Sequence, residues 1–158
     1  MRETTLIPMP QSTFAQYAKS AIAAYAEDNI ASGRWPKDGA LERSCADFNE
    51  LLPLGLATPD QHLFSMQSSS DTVGYMHVAV VEKHNLRQAF VYDVEVLEPH
   101  QRQGHAKRAF AALEPIVRAW SVTQIGLHVF AQNTAAQALY RSLGYDVTSI
   151  NMLKKLRV

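Results

Sequence analysis

The stretch HQRQGHAKRAF, residues 100–110, follows closely on AFVYDVEVL, residues 89–97. Its residue types suit the binding of an anion. Gly104 and small Ala106 let a ligand approach the backbone. Amides at the start of a following helix point outward, at the positive end of the helix dipole. Arg102, Lys107 and Arg108 add mobile cations beside them. Phosphates fit such a turn best, although an ordinary strand-to-helix turn with a solvated basic edge explains these residues equally well. The spacing is neither G-x-G-x-x-G nor that of a P-loop ending in G-K-S/T.

Groups that can move protons lie on either side. Strict alternation along FVYDVEVL predicts Phe90, Tyr92, Val94 and Val96 on one face, with Asp93 and Glu95 on the other. Two carboxylates on a central strand are unusual, because burying charge is costly. Either they act as acid–base groups, or they mark a polar end of the sheet, open to solvent or paired with Arg87 or Arg102. In QIGLHVF, residues 124–130, Ile125, Leu127 and Val129 alternate and leave His128 on the opposite face. Histidine titrates nearest neutral pH, so His128 reads as a proton acceptor or as a satisfied structural residue. The other five histidines have no metal-ligand spacing, and no metal is expected. Cys45 is the sole cysteine, which excludes an internal disulfide framework and reads as a small core residue.

These groups need elements to hold them. TLIPM, residues 5–9, predicts a short strand, and Ser12 and Thr13 are candidate caps of a helix through Phe14, Tyr17, Ala18, Ile22 and Tyr25. A second helix is expected over roughly 39–51. Strands follow over 62–66, 73–82 and 89–97, with turns at 67–72 and 83–88. Helical spacing covers 103–120, where Pro115 should kink the helix or mark a joint. After strand 124–130, Asn133 can cap a helix that ends at Gly144. Residues 145–156, YDVTSINMLKKL, are expected to close the chain as a strand or hairpin. The order indicates an α/β or α+β single domain with a mixed sheet.

Composition narrows the function. At 158 residues the chain can bury the core of one domain. Fifteen basic and fifteen acidic residues leave no net charge to draw it to nucleic acid or a membrane surface. No apolar run is long enough to span a bilayer. MRETTLIPMP does not read as a signal peptide, so a cytoplasmic location is expected.

Two motifs together resemble the GNAT superfamily of acyl-CoA N-acyltransferases. Gln101-Arg102-Gln103-Gly104-His105-Ala106 fits Q/R-x-x-G-x-G/A, and Asn133, Ala136, Leu139, Tyr140, Gly144 and Tyr145 fit N-x-x-A-x-x-L-Y-x-x-x-G-F/Y. The resemblance is strong over roughly residues 73–155 and architectural over 1–60. It departs at Pro99, since family members commonly place proline where this chain has Glu98.

The resemblance implies a GNAT-like single domain over residues 1–158, with a mixed sheet of about six or seven strands flanked by helices. Residues 1–72 would be the acceptor side and 73–158 the acetyl-CoA core. Acetyl-CoA is the implied co-substrate, with its pyrophosphate on the amides of Arg102, Gln103, Gly104, His105, Ala106 and Lys107, next to Gln101. Its pantetheine arm would follow the strand bearing Val94 and Val96, whose amide near Val96 can polarise the thioester carbonyl. Asn133 would both cap its helix and touch the cofactor. Tyr140 would be the proton donor to the leaving thiolate, a core aromatic being the plainer reading. His128 stands where the ribosomal-protein branch of the family has glutamate, and it, Asp93 and Glu95 are the candidate bases, with His128 slightly ahead.

The expected activity is acetyl transfer to a primary amine by direct attack in a ternary complex. The acceptor is a small molecule, a protein N-terminus or a lysine. A homodimer through the C-terminal strands is compatible with the sequence but not required by it. The rival reading is a catalytically inactive acyl-CoA sensor or interaction module.

Overall fold

A computed structural model describes residues 3–157. The elements run β1 (Thr5–Pro8), α1 (Gln11–Ala31), α2 (Ala40–Leu51), β2 (Gln61–Ser68), β3 (Asp71–Lys83), β4 (Leu86–Val96), α3 (His105–Ala119), β5 (Ile125–Leu127) and α4 (Thr134–Ser142). One sheet takes the strands in chain order. Its first four strands are antiparallel, and β5 joins β4 in parallel through the crossover that contains α3.

Each face of the sheet has its own core. Phe64, Met66, Met76, Val78 and Val91 meet Phe110 and Leu113 of α3 and Tyr140 of α4. On the opposite face, Leu63 and Tyr75 meet Tyr17 of α1, with Phe48 of α2 packed against them. The mixed α/β fold is thus the expected one, but among the described residues the sheet has five strands rather than six or seven. Residues 145–157 form no strand, and Val147, Ile150, Met152, Leu153 and Leu156 are exposed. The apolar period of two breaks between Val147 and Ile150, so no single face of this stretch can lie on the core.

Local chemistry moves other boundaries. Ser12 and Thr13 do not cap α1: the helix starts one residue after Pro10, which takes the N-cap position with no side-chain bond. The turn expected over 83–88 tightens to His84 and Asn85, both at positive φ (52° and 62°), the backbone that joins twisted antiparallel strands in two residues. Pro115 does not end α3. Pro115 and Ala111 are both exposed, so the carbonyl that loses its helical partner faces water.

Strict alternation along β4 also fails. His77 pairs with Asp93 but Val78 pairs with Val91, so Tyr92 is the extra residue of a β-bulge. Ala89 and Val91 face the α3 core before the bulge, and Val94 and Val96 face it after. Phe90 and Tyr92, rings 4.8 Å apart, therefore do not share a face with Val94 and Val96.

Candidate active site

The turn between β4 and α3 holds a run of unpaired amides. The amides of Arg102, Gln103, Gly104, Ala106 and Lys107 have no acceptor among the described residues. Arg102 and Gly104 both have positive φ (62° and 80°), which curls the backbone into a concave nest ahead of α3. A Cβ on Gly104 would lie 2.7 Å from Arg108 Nη1, so glycine answers both the conformation and the space.

The surrounding side chains brace this nest. Gln101 Nε2 donates to Val96 O at 3.0 Å, and Gln103 Nε2 to Pro99 O at 3.3 Å. Arg108 is not a mobile cation: Nε donates to Thr4 Oγ1 at 3.0 Å and Nη2 to Gln103 O at 2.9 Å. His105 is buried, with Nδ1 2.9 Å from Thr4 Oγ1 and 3.2 Å from Arg108 Nη2. Thr4, which no motif flags, thus ties the start of the chain to this turn across a hundred residues.

Beside the turn, β4 and β5 separate. Pairing covers only Ala89–Val91 against Ile125–Leu127. From Tyr92 to Val96 the β4 edge has no strand on that side among the described residues. Leu97 N bonds to Val73 O in β3, so by alternation the Val96 amide faces the open edge.

The bulge turns Asp93 and Glu95 towards α1. Tyr17 Oη donates to Asp93 Oδ2 at 2.9 Å, and Ser20 Oγ to Glu95 Oε1 at 3.3 Å. The Asp93 carboxyl is raised to about 6, chiefly by desolvation among protein atoms; the Tyr17 hydroxyl and the Val94 amide oppose the rise, and the Glu95 and Asp28 charges add to it. Tyr17 itself is pushed well up, first by burial and then by Asp93. Asp93 still meets a cavity of about 480 Å³ between α1, α2 and β4. It is a carboxylate poised to exchange a proton near neutral pH and accessible from one side.

Tyr140 lies on α4, on the other face of the sheet. Its ring is buried against Phe110 and Tyr145, at 5.4 and 5.8 Å between centroids. Its hydroxyl titrates above the ordinary tyrosine value because of burial and then the nearby Asp93 charge, so it stays protonated at neutral pH. Asn133 caps α4, its Oδ1 accepting from Ala136 N at 3.3 Å, and Gly144 (φ 92°) ends the helix with Tyr145 N bonded to Tyr140 O.

His128 lies apart. It follows β5, is exposed, and stands edge-on to Phe130 at 4.9 Å. No hydrogen bond joins it to Asp93, Glu95 or Tyr140 among the described residues. The sequence ranked Tyr17 only as a helix-face aromatic. Its hydroxyl contact with a residue 76 positions away carries no local signal.

Residues 21–145 match the Acetyltransferase (GNAT) family. The chain is 37% identical over 152 residues to the uncharacterised N-acetyltransferase YycN of Bacillus subtilis strain 168, covering 96% of this chain and 97% of that one. It is 28% identical to a second such protein of that strain, YdgE, covering 96% and 98%. The solved structure of YycN superposes with a TM-score of 0.94 over 98% of this chain and 99% of that one, at 36% identity. The fold is also that of AAC(6')-Iy, solved with a bisubstrate analogue of CoA and acetylneamine (TM-score 0.64, 15% identity, 99% of each chain). The chain belongs to the GNAT acetyltransferase family and is an acetyltransferase.

Proposed function

We propose that the protein transfers the acetyl group of acetyl-CoA to a primary amine by direct attack within a ternary complex, with Asp93 as the base and Tyr140 as the acid. The observation that carries this reading is a buried carboxylate, raised to about 6, whose charge is felt by a protonated phenol on α4, with the splayed edge of the same strand beside it.

The nest of amides at 102–107 fits a pyrophosphate. Among the described residues the amides of Arg102, Gln103, Gly104, Ala106 and Lys107 are donors without acceptors, and Gly104 leaves the approach clear. Lys107 and Arg102 remain as the cations of the turn, since Arg108 is engaged inward. The open edge of β4 suits an extended pantetheine, and the outward Val96 amide supports the developing oxyanion. On this reading residues 73–158 carry the donor side, while α1 and α2 wall the acceptor side.

An alkyl ammonium has a pKa of about 10.4 and is a poor nucleophile until it loses a proton. Asp93 takes that proton at its carboxylate. The amine nitrogen bonds to the acetyl carbon, the C–S bond breaks, Tyr140 Oη protonates the leaving sulfur, and the surplus proton on the new amide nitrogen returns to the tyrosine through solvent. Glu95 tunes Asp93 by its charge, and Tyr17 holds the carboxylate oxygen in place. His128 stays exposed, off this path.

The test is amine-dependent release of free thiol from acetyl-CoA. Tyr140→Phe should lower kcat by about ten- to a thousandfold, the range of lost general-acid help, with acetyl-CoA affinity almost unchanged. Full activity in a folded Tyr140→Phe enzyme whose chemical step is rate-limiting would remove the proton-donor role.

A further inference from the structure

We infer that the acceptor is a small primary amine carried on an apolar, preferably aromatic, body, held in the cavity between α1, α2 and β4 with its amine at Asp93. The inference rests on the acceptor side proposed above and adds the chemical class of its substrate. The cavity's volume, about 480 Å³, suits a small organic molecule.

Its walls are mainly hydrocarbon and aromatic rings. Ala21 and Ile22 of α1 face Phe48 and Leu51 of α2, while Tyr25 and Tyr92 stand at the rim, 37% and 45% exposed. Every charged residue lining it is acidic: Asp93 within, and Asp47 and Glu50 at the exposed end. Acid with aromatic faces favours an organic cation over an anion.

The same walls disfavour peptides and amino sugars. The Ser44 hydroxyl is committed to Ile22 O at 2.6 Å, and the Tyr17 hydroxyl to Asp93. The flanking helices spend their backbone groups internally. A peptide's carbonyls would find the hydroxyls of Tyr25 and Tyr92 only at the rim, and a sugar's hydroxyls would find carboxylate acceptors only at Asp93 and the exposed end. The polar groups lying against Ala21, Ile22, Phe48 and Leu51 would therefore lose their hydration uncompensated. An alkyl or aryl body loses nothing on entry and gains burial.

The experiment compares 2-phenylethylamine, ethylamine, glucosamine and a free-N-terminus tripeptide as acceptors, at one pH and saturating acetyl-CoA. The expected result is a kcat/KM for 2-phenylethylamine at least about tenfold above each of the others. Phe48→Leu should cut that value by about tenfold through KM, while the acetyl-CoA-induced rise in Tm is retained as the check on folding. Equal use of ethylamine, or preference for the tripeptide or the amino sugar, overturns the apolar class while leaving acetyl transfer intact. If no amine releases thiol, calorimetric titration of 2-phenylethylamine decides. Binding weakened by Phe48→Leu supports the cavity assignment, and absence of binding overturns it. Loss of the acetyl-CoA effect on Tm in the parent protein defeats the donor-side reading separately.

Discussion

Asp93 gives the residue scale its sharpest consequence. Its carboxyl, ordinarily near 3.8, is raised to about 6 in the fold, so the folded protein holds this proton more tightly than the unfolded chain does. The group favours folding below its unfolded value, and that contribution is lost as pH rises through about 6. The rise corresponds to at most about 3 kcal/mol, part of which an accessible carboxylate recovers through solvent. Asp93→Asn should therefore gain stability relative to the parent between pH 4 and pH 8, read from urea midpoints, even as it loses activity. A stability difference independent of pH would show that the carboxyl is not strained by burial. Its neighbours should act in opposite directions on the acid limb of kcat/KM. Tyr17→Phe removes a bond that favours the carboxylate and should move the limb to higher pH, whereas Glu95→Gln removes a repelling charge and should move it lower. A displacement of both variants in one direction would contradict the assigned environment. The Asp93–Glu95 pair was legible in the sequence as two carboxylates on one strand face. Tyr17 and Thr4 were not, since each acts on a residue far along the chain.

The elements matter through how they end and where they part. The glycine motif located the turn before α3, and Asn133 and Gly144 located both ends of α4, because caps and left-handed positions leave local signatures. The bulge at Tyr92 left none. A one-residue insertion in the β3–β4 register depends on the partner strand, and it reversed the faces assigned by alternation. Arg108 likewise read as a phosphate cation until Thr4 and His105 were seen to hold it inward. Gly104→Glu tests the turn. It sets a side chain against Arg108 in a left-handed backbone and places negative charge where the phosphates would sit. This variant should remain folded at reduced stability and show no rise in Tm with acetyl-CoA. A folded Gly104→Glu protein that binds acetyl-CoA normally would refute the cradle.

For the whole molecule, the five-stranded sheet separates two layers of work. The α1–α2 face holds the acidic, aromatic cavity, and the α3–α4 face holds Tyr140 and the base of the amide nest. Both layers meet at β4, so a ligand there is coupled to global stability. Acetyl-CoA at one hundred times its Kd should add about 2.7 kcal/mol, or about 5–10 °C in Tm for a chain of this size. Pantetheine at the same concentration should add less, since it leaves the amides of the 102–107 turn unfilled and binds more weakly. Equal increases from the two would show that the turn contributes nothing to binding. The sequence anticipated this architecture but overcounted its strands. The broken alternation after Tyr145 was the available warning that the closing segment would not lie on the sheet.

The most direct test of Asp93 as the base is the pH dependence of kcat/KM with one acceptor, for the parent, Asp93→Asn and His128→Ala. The position of the parent's acid limb cannot decide alone, because a histidine's ordinary value of about 6.5 lies close to the Asp93 value of about 6. The substitutions separate the two groups. The structure predicts that His128→Ala keeps the limb in place, while Asp93→Asn lowers the rate steeply and leaves any residual rate without it, apart from the acceptor's own ionisation. A limb that survives in Asp93→Asn and vanishes in His128→Ala would contradict the account and return the proton to the histidine.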